Sequence, residues 1–300
     1  MNILIPDLPE FQRLSMTGAT LIPYDPRAPQ PERLAAGADG LILWASPKAA
    51  YQALLQASGL RWVLTLTAGV DHVADLTPPG VELYNASKLH DHAVATHVLA
   101  GMLAAARGLH LFRDAQRASS WQRREQLATL RGAQVVIWGF GHIGRLLGDM
   151  LSPLGAEVSG IRSSDTPEQR AALLAGADWT VLLLPSTPQT RGTVNAEQLA
   201  VLKPGSWLVN AGRGDLVDTG ALVARLQSGH LGGAVLDVTD PEPLPADHPL
   251  WQLENVILTP HVGSATADVL ERASAYATEF VETLLLGRAP EGLVDRERGY

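Results

Sequence analysis

The stretch QVVIWGFGHIG, residues 134–144, runs an apolar segment straight into three glycines in a G-x-G-x-x-G pattern. The pattern alone is weak, because glycine fills 28 of the 300 positions. Its setting carries the weight: a strand-like run before it, and the helix-like RLLGDMLSPLGAEV (145–158) after it. Each glycine then has its own task. Gly139 permits a tight turn, Gly141 lets backbone approach a pyrophosphate, and Gly144 lets the helix pack on the strand. Phe140, His142 and Ile143 fill the rest of the same expected dinucleotide loop. The following helix start offers free N–H groups and a partial positive charge to phosphates. Arg145, in its first turn, is open to either phosphate or solvent.

Outward from this loop, short apolar runs alternate with helix-like segments along the chain. One series of strand candidates is NILI (2–5), TLI (20–22), GLILW (40–44), WVLTL (62–66) and VELY (81–84). The second is QVVIW (134–138), EVSGI (157–161), WTVLLL (179–184), SWLVN (206–210), GAVLD (233–237) and NVIL (255–258). Most are apolar throughout, as in parallel strands covered on both faces. This predicts an α/β architecture of two doubly wound parallel sheets. A helix over 90–112 leads from one series to the other, and a second over 264–287, with Ser264 as N-cap and Gly287 as stop, leads back. The expected domains are 1–96 with 266–300 for substrate, and an inserted 97–265 for the dinucleotide.

Hydrophobic content of 46% and charged content of 18% suit a globular chain with a large core. A net charge of −8 argues against nucleic acid or an anionic membrane as partner. Cysteine is absent, which excludes disulfides and thiolate chemistry. The start MNILIPDLPE lacks the basic and apolar segments of a secretory leader. The longest apolar run, VLAGMLAAA (98–106), falls short of the roughly 20 residues that span a bilayer. A cytoplasmic location is therefore expected.

At the end of the second strand of the glycine unit stands GIRSSD (160–165). A carboxylate there would bond the ribose 2′-OH of NAD and repel a 2′-phosphate. Arg162 occupies that place, and Ser163 and Ser164 add hydroxyls, which favours NADP(H). Asp165 leaves NAD(H) open, since a small loop shift brings a carboxylate back to the ribose.

Three more stretches follow strands of the same series. VNAGRGDLVD (209–218) carries Arg213, LDVTDPEPLP (236–245) carries Asp237 and Glu242, and LTPHVGSAT (258–266) carries His261. All lie at the carboxyl edge where open α/β sheets bind ligands. Arginine forks onto a carboxylate or polarises a carbonyl. Histidine exchanges protons near neutral pH, and a paired glutamate orients it.

Taken with TAGVDHV (67–73) and LPSTPQTRGTVN (184–195), these motifs in this order resemble the D-isomer-specific 2-hydroxyacid dehydrogenase family, glyoxylate and hydroxypyruvate reductases included. The resemblance implies a Rossmann cofactor domain inserted into a flavodoxin-like substrate domain. It implies NAD(P)H-dependent reduction of a small 2-keto acid to the D-2-hydroxy acid. Arg213 is then the substrate's partner, Glu242 the histidine's partner and His261 the acid/base. Backbone N–H groups of Ala68, Gly69 and Val70 hold the substrate carboxylate, and Asp237 the nicotinamide carboxamide. Pro185, Thr190, Ala211 and Gly263 line the cofactor together with Arg213 and His261. A homodimer through the crossing helix is implied as well. The chain departs from the family at Thr96, where a glutamate is common after Val94 and Ala95. His90, His92 and His97 have metal-like spacing without completing a convincing site, and no metal is expected. Trp44, Trp121 and Trp251 are candidates for a pocket wall or subunit contact. The competing function is a dinucleotide-sensing, corepressor-like protein on the same fold. Formate oxidation is disfavoured by Glu242, where an amide is usual.

Overall fold

The computed structural model describes residues 1–14, 17–44 and 47–299. It divides into two compact units, 1–90 with 265–300, and 91–264. The expected divisions at 96/97 and 265/266 lie close to these, the first falling six residues later.

Unit 1 holds β1 (Asn2–Pro6), β2 (Thr20–Tyr24), β3 (Gly40–Leu43), β4 (Trp62–Thr65) and β5 (Glu82–Asn85) in the order β2-β1-β3-β4-β5. Every pairing is parallel, and this is the flavodoxin-like order. One face packs on α1 (Lys48–Leu55) through Tyr51, Leu54 and Leu55. The other packs on Ala273, Ala277, Phe280 and Val281 of the C-terminal helix Val269–Leu285.

Unit 2 holds β6 (Gln134–Trp138), β7 (Glu157–Ile161), β8 (Trp179–Leu182), β9 (Trp207–Asn210), β10 (Gly233–Leu236) and β11 (Val256–Leu258). Their order is β11-β10-β9-β8-β6-β7, again all parallel. After β7 the chain passes through a helix, Pro167–Gly176, directly to β8 on the far side of β6. Among the described residues no strand lies outside β7, whereas the common dinucleotide-binding order places a third strand there. The order reverses between β6 and β8, so the carboxyl ends of these two strands form the switch point. All eleven strands of the sequence reading are present among the described residues.

The helices depart more. The segment read as one helix over 90–112 is α2 (Ser87–Ala106) followed by α3 (Leu109–Arg117), bent by 68°. Gly108 makes the break: its φ of 62 is left-handed, which a helix interior does not accommodate. No single helix among the described residues is long and apolar enough to cross a membrane. Gly101 of α2 packs on β10, where a Cβ would come within 2.6 Å of Val235, so its small size serves packing within the chain. The C-terminal helix begins at Val269 rather than at Ser264, with Asp268 at its N-cap. It stops where expected, at Gly287, whose φ is 68.

Candidate active site

The glycine loop sits at the switch point of unit 2. Gly139 has a φ of 103, and a Cβ on it would meet the Leu183 carbonyl carbon at 2.6 Å. Gly144 would meet the Gly139 carbonyl oxygen at 2.7 Å. Gly141 has nothing within 4 Å of its Cβ position, so the loop is open to a ligand at that point. The helix that begins there, α4 (His142–Leu151), carries no side-chain cap, leaving its first amides to a ligand. Two tight glycines and one open one are what a pyrophosphate cradle requires. The ring of Phe140 turns away, packing over Gly160 and Gly148, while Ile143 joins the apolar core.

Beyond β7 the backbone turns at 162–165. The N–H of Arg162 donates to Asp165 Oδ2 at 2.7 Å, and the N–H of Asp165 to the Arg162 carbonyl at 3.1 Å. Asp165 is thereby engaged in closing its own turn. Arg162, exposed with Ser163 and Ser164, lies with its guanidinium carbon 6.0 Å from the centre of the Phe140 ring. Thr190 braces the next loop, donating to the Pro185 carbonyl at 2.6 Å and accepting from the Thr187 N–H at 2.8 Å. The Ala211 N–H donates to the Leu182 carbonyl at 3.2 Å, which holds the start of the arginine loop to the end of β8.

Asn210, buried at the end of β9, shapes that loop. Its amide donates to the Arg213 carbonyl at 2.9 Å and its oxygen accepts from the Gly212 N–H at 3.1 Å. A Cβ on Gly214 would overlap the Thr239 carbonyl at 1.9 Å, so only glycine lets the loops after β9 and β10 lie together. Arg213 donates through Nη1 to the Gly212 carbonyl at 2.8 Å.

Across the same edge, His261 Nδ1 lies 3.0 Å from Glu242 Oε2. A carboxylate only accepts, so the Nδ1 proton faces Glu242 and Nε2 is the ring's free position. His261 itself has a φ of 53, held by donation of its N–H to the Asp237 carbonyl at 2.7 Å. Asp237, only 5% exposed, organises the whole histidine loop. Its carboxylate accepts from Thr259 Oγ1 at 2.6 Å, the Val262 N–H at 3.0 Å and the Gly263 N–H at 2.8 Å. His97 Nε2 completes the set at 3.3 Å. The Thr259 hydroxyl proton is used on Asp237, so Thr259 accepts from His97 at 2.9 Å. Burial acts to raise the Asp237 carboxyl, but these hydrogen bonds outweigh it and hold the group well below the usual carboxylate range. His97 is correspondingly raised, chiefly by its bond to Asp237. Both oxygens of the residue expected at the nicotinamide carboxamide are thus engaged within the protein.

In unit 1 the loop after β4 carries Ala68, Gly69 and Val70. Thr67 donates to the Gly69 carbonyl at 2.8 Å, and Tyr51 to the His72 carbonyl at 3.3 Å. Among the described residues, none of the three N–H groups at 68–70 has an acceptor. Of the histidines with metal-like spacing, His90 bonds the Leu66 carbonyl at 2.9 Å and His97 belongs to Asp237. Trp121 is 93% exposed, and Trp251 donates to the Pro245 carbonyl at 2.8 Å. Cavity volume and chemistry part company here. A cavity of about 940 Å³ is lined by Ala133, Asp178, Ser206, Gly232 and Asn255. These precede β6, β8, β9, β10 and β11, at the edge opposite the glycine loop.

Residues 99–263 match the model of the D-isomer-specific 2-hydroxyacid dehydrogenase NAD-binding domain. The chain belongs to that family. It is 35% identical over 275 residues to the D-3-phosphoglycerate dehydrogenase of Mycobacterium leprae (strain TN), covering 87% of this chain and 52% of the relative. It therefore spans about half the length of that relative. It is 34% identical over 288 residues to the glyoxylate/hydroxypyruvate reductase B of Yersinia pestis (strain Pestoides F), covering 89% of this chain and 87% of the relative. A solved D-isomer-specific 2-hydroxyacid dehydrogenase of Xanthobacter autotrophicus Py2, in complex with NADPH and MES, matches with a TM-score of 0.82 at 28% identity over 100% of both chains.

Within this 2-hydroxyacid dehydrogenase unit, the sequence motifs mark Arg213, Glu242, Asp237 and His261. They do not mark His97, Thr259 or Asn210 as partners of that machinery. Asn210 has a local signal, as a polar residue ending a buried strand. His97 and Thr259 meet across 162 positions, and no local pattern announces that pairing.

Proposed function

We propose that this chain reduces a small 2-keto acid of the glyoxylate or hydroxypyruvate type to its D-2-hydroxy acid, with NADPH preferred over NADH. The observation that carries the reading is the His261–Glu242 pair at 3.0 Å, on the sheet edge that also holds the glycine loop. The dinucleotide fits the residues present: Gly141 and the uncapped start of α4 take the pyrophosphate, and Arg162, Ser163 and Ser164 take a 2′-phosphate. Pro185, Thr190, Ala211 and Gly263 belong to the same cofactor-binding edge. When bound, a reduced nicotinamide supplies a hydride equivalent to the keto carbon.

The protein's own residues do the rest. As the imidazolium, His261 gives its Nε2 proton to the keto oxygen, while Glu242 accepts from Nδ1, orients the ring and stabilises its charged form. Arg213 pairs with the substrate carboxylate and polarises the keto group. In unit 1, the N–H groups of Ala68, Gly69 and Val70 are without acceptors among the described residues, and the family likeness assigns them to a substrate carboxylate. Asp237, bonded from both sides of His261, keeps the loop in place. A homodimer is part of the same reading, as the family likeness implies.

The experiment is loss of reduced-nicotinamide absorbance with a panel of 2-keto acids, each with NADPH and with NADH. Turnover of glyoxylate or hydroxypyruvate with higher kcat/KM for NADPH is expected. Cofactor binding without turnover of any keto acid would favour a dinucleotide-sensing protein instead.

A further inference from the structure

The turn at 162–165 has a second arginine behind it. The helix Pro167–Gly176, α5, opens with a capping box: Thr166 Oγ1 accepts from the Gln169 N–H at 3.3 Å, and the Gln169 side chain accepts from the Thr166 N–H at 2.8 Å. That start fixes the helix against the turn. Arg170 follows immediately, its own N–H donating to the Thr166 carbonyl at 3.0 Å. Its Nη2 reaches back to the Ser163 carbonyl at 3.3 Å. Its Nε is buried and has no acceptor among the described residues. The guanidinium is therefore pinned beneath the turn, with donors left over.

Charge sharpens the picture. Among the described residues no carboxylate lies within ion-pair distance of Arg162 or Arg170, and the nearby Asp165 closes the turn through backbone N–H groups. Arg162, at the end of β7, directly precedes Ser163 and Ser164, and the Arg170 guanidinium from α5 lies on the Ser163 carbonyl. With no strand outside β7 among the described residues, this corner of the unit is an edge, and neighbouring sheet does not supply its charge. A phosphate monoester carries nearly two negative charges and three acceptor oxygens near neutral pH, more than one arginine satisfies.

We propose that Arg170 is a further specificity-determining residue for the 2′-phosphate of NADPH, a positioning residue that acts by holding the Ser163 carbonyl and adding its charge behind the turn. This rests on the NADPH preference proposed above. NADH has a free 2′-hydroxyl, so it gains nothing from that second charge. Discrimination then depends on Arg162 and Arg170 together.

The test uses the full chain and measures Kd for NADPH, NADH, 2′,5′-ADP and 5′-ADP with the wild type, Arg162→Gln, Arg170→Gln and Arg170→Lys. A hydrogen bond to a charged group corresponds to about tenfold to a hundredfold in affinity. Arg170→Gln is expected to weaken NADPH and 2′,5′-ADP by about that factor and to leave NADH and 5′-ADP within about twofold of wild type. Arg170→Lys should restore part of the loss, because it keeps the charge and loses the fork. Equal weakening of all four ligands would overturn the proposal, since it would mean that Arg170 only supports the fold. An NADPH/NADH ratio changed by Arg162→Gln and untouched by Arg170→Gln would overturn it while leaving the NADPH preference standing. A wild type that binds NADPH no better than NADH would remove that preference, and this inference with it.

Discussion

His261 illustrates how much a single residue here is fixed from outside. A non-glycine residue at a φ of 53 sits in a sparsely populated region and persists only when its surroundings over-determine it. The Asp237 carbonyl and the Glu242 carboxylate do so, one on the backbone and one on the ring. Replacing His261 by Ala removes the proton exchange and one residue of the cofactor lining, while the glycine loop and the 162–165 turn that would hold the cofactor's phosphates stay intact. We expect kcat to fall by about 10²–10⁴-fold with the NADPH Kd within about twofold of wild type. Steady-state rates alongside a binding titration would check this, and a loss below tenfold would sink the acid/base role. The glycines give a second contrast. Gly139→Ala sets a Cβ 2.6 Å from the Leu183 carbonyl carbon at a left-handed φ, so both thermal stability and NADPH binding should drop. Gly141→Ala meets no protein atom within 4 Å, so Tm should hold while NADPH binding weakens. Equal Tm losses in the two variants would contradict the separate roles. Those roles were legible in the spacing of 139, 141 and 144, because a strand–turn–helix leaves few ways to place three glycines. The network around Asp237 was not, because it joins His97 on α2 to the end of β11.

Elements were legible where burial alone decides them, and less so where one dihedral does. The strands of both sheets read as apolar runs because each is covered on two faces. The helix over 90–112 misread Gly108, since the flanking alanines and leucines continue a helical composition through it. Likewise Ser264 has the chemistry of an N-cap, yet α6 (Val269–Leu285) takes Asp268 as its N-cap, after the histidine loop has closed on Asp237. That closure has a pH signature. Asp237 is held below its ordinary value, so its contribution to stability is present above about pH 4 and is lost as the pH falls through the native value. His97 is raised, so its contribution is full below about pH 6.5 and is lost as the pH rises through the native value. The stability of residues 91–264 should therefore peak on the mildly acidic side of neutrality and decline in both directions. Asp237→Asn should lower Tm at the maximum and flatten both flanks. Thermal unfolding from pH 2 to pH 9 would read both flanks, and an unchanged profile in the variant would show that the pair does not govern it.

At the scale of the molecule, one unit is contiguous and the other is not. Residues 91–264 carry their own core on both faces of their sheet, with no segment borrowed from elsewhere in sequence. Residues 1–90 depend on 265–300. From α6 come Ala273, Ala277, Phe280 and Val281, each at most 4% exposed, against β1, β3, β4 and β5. The Phe280 ring alone packs 5.3 Å from that of Trp62 and 4.9 Å from that of Tyr84. Truncating one buried phenylalanine to alanine costs about 3–5 kcal/mol, against a total of about 5–15 kcal/mol for a domain. Deleting the whole helix uncovers one face of a five-stranded sheet, far more than that margin tolerates. A chain ending at Ser264 should then lose the cooperative unfolding of residues 1–90, with that segment cut rapidly by protease. Residues 91–264 should stay protected and bind NADPH with near wild-type affinity, and keto-acid turnover should be absent. Limited proteolysis with mass readout, run beside an NADPH titration, separates these outcomes. Loss of NADPH binding together with loss of the first unit would mean that the dinucleotide sheet does not stand on its own core.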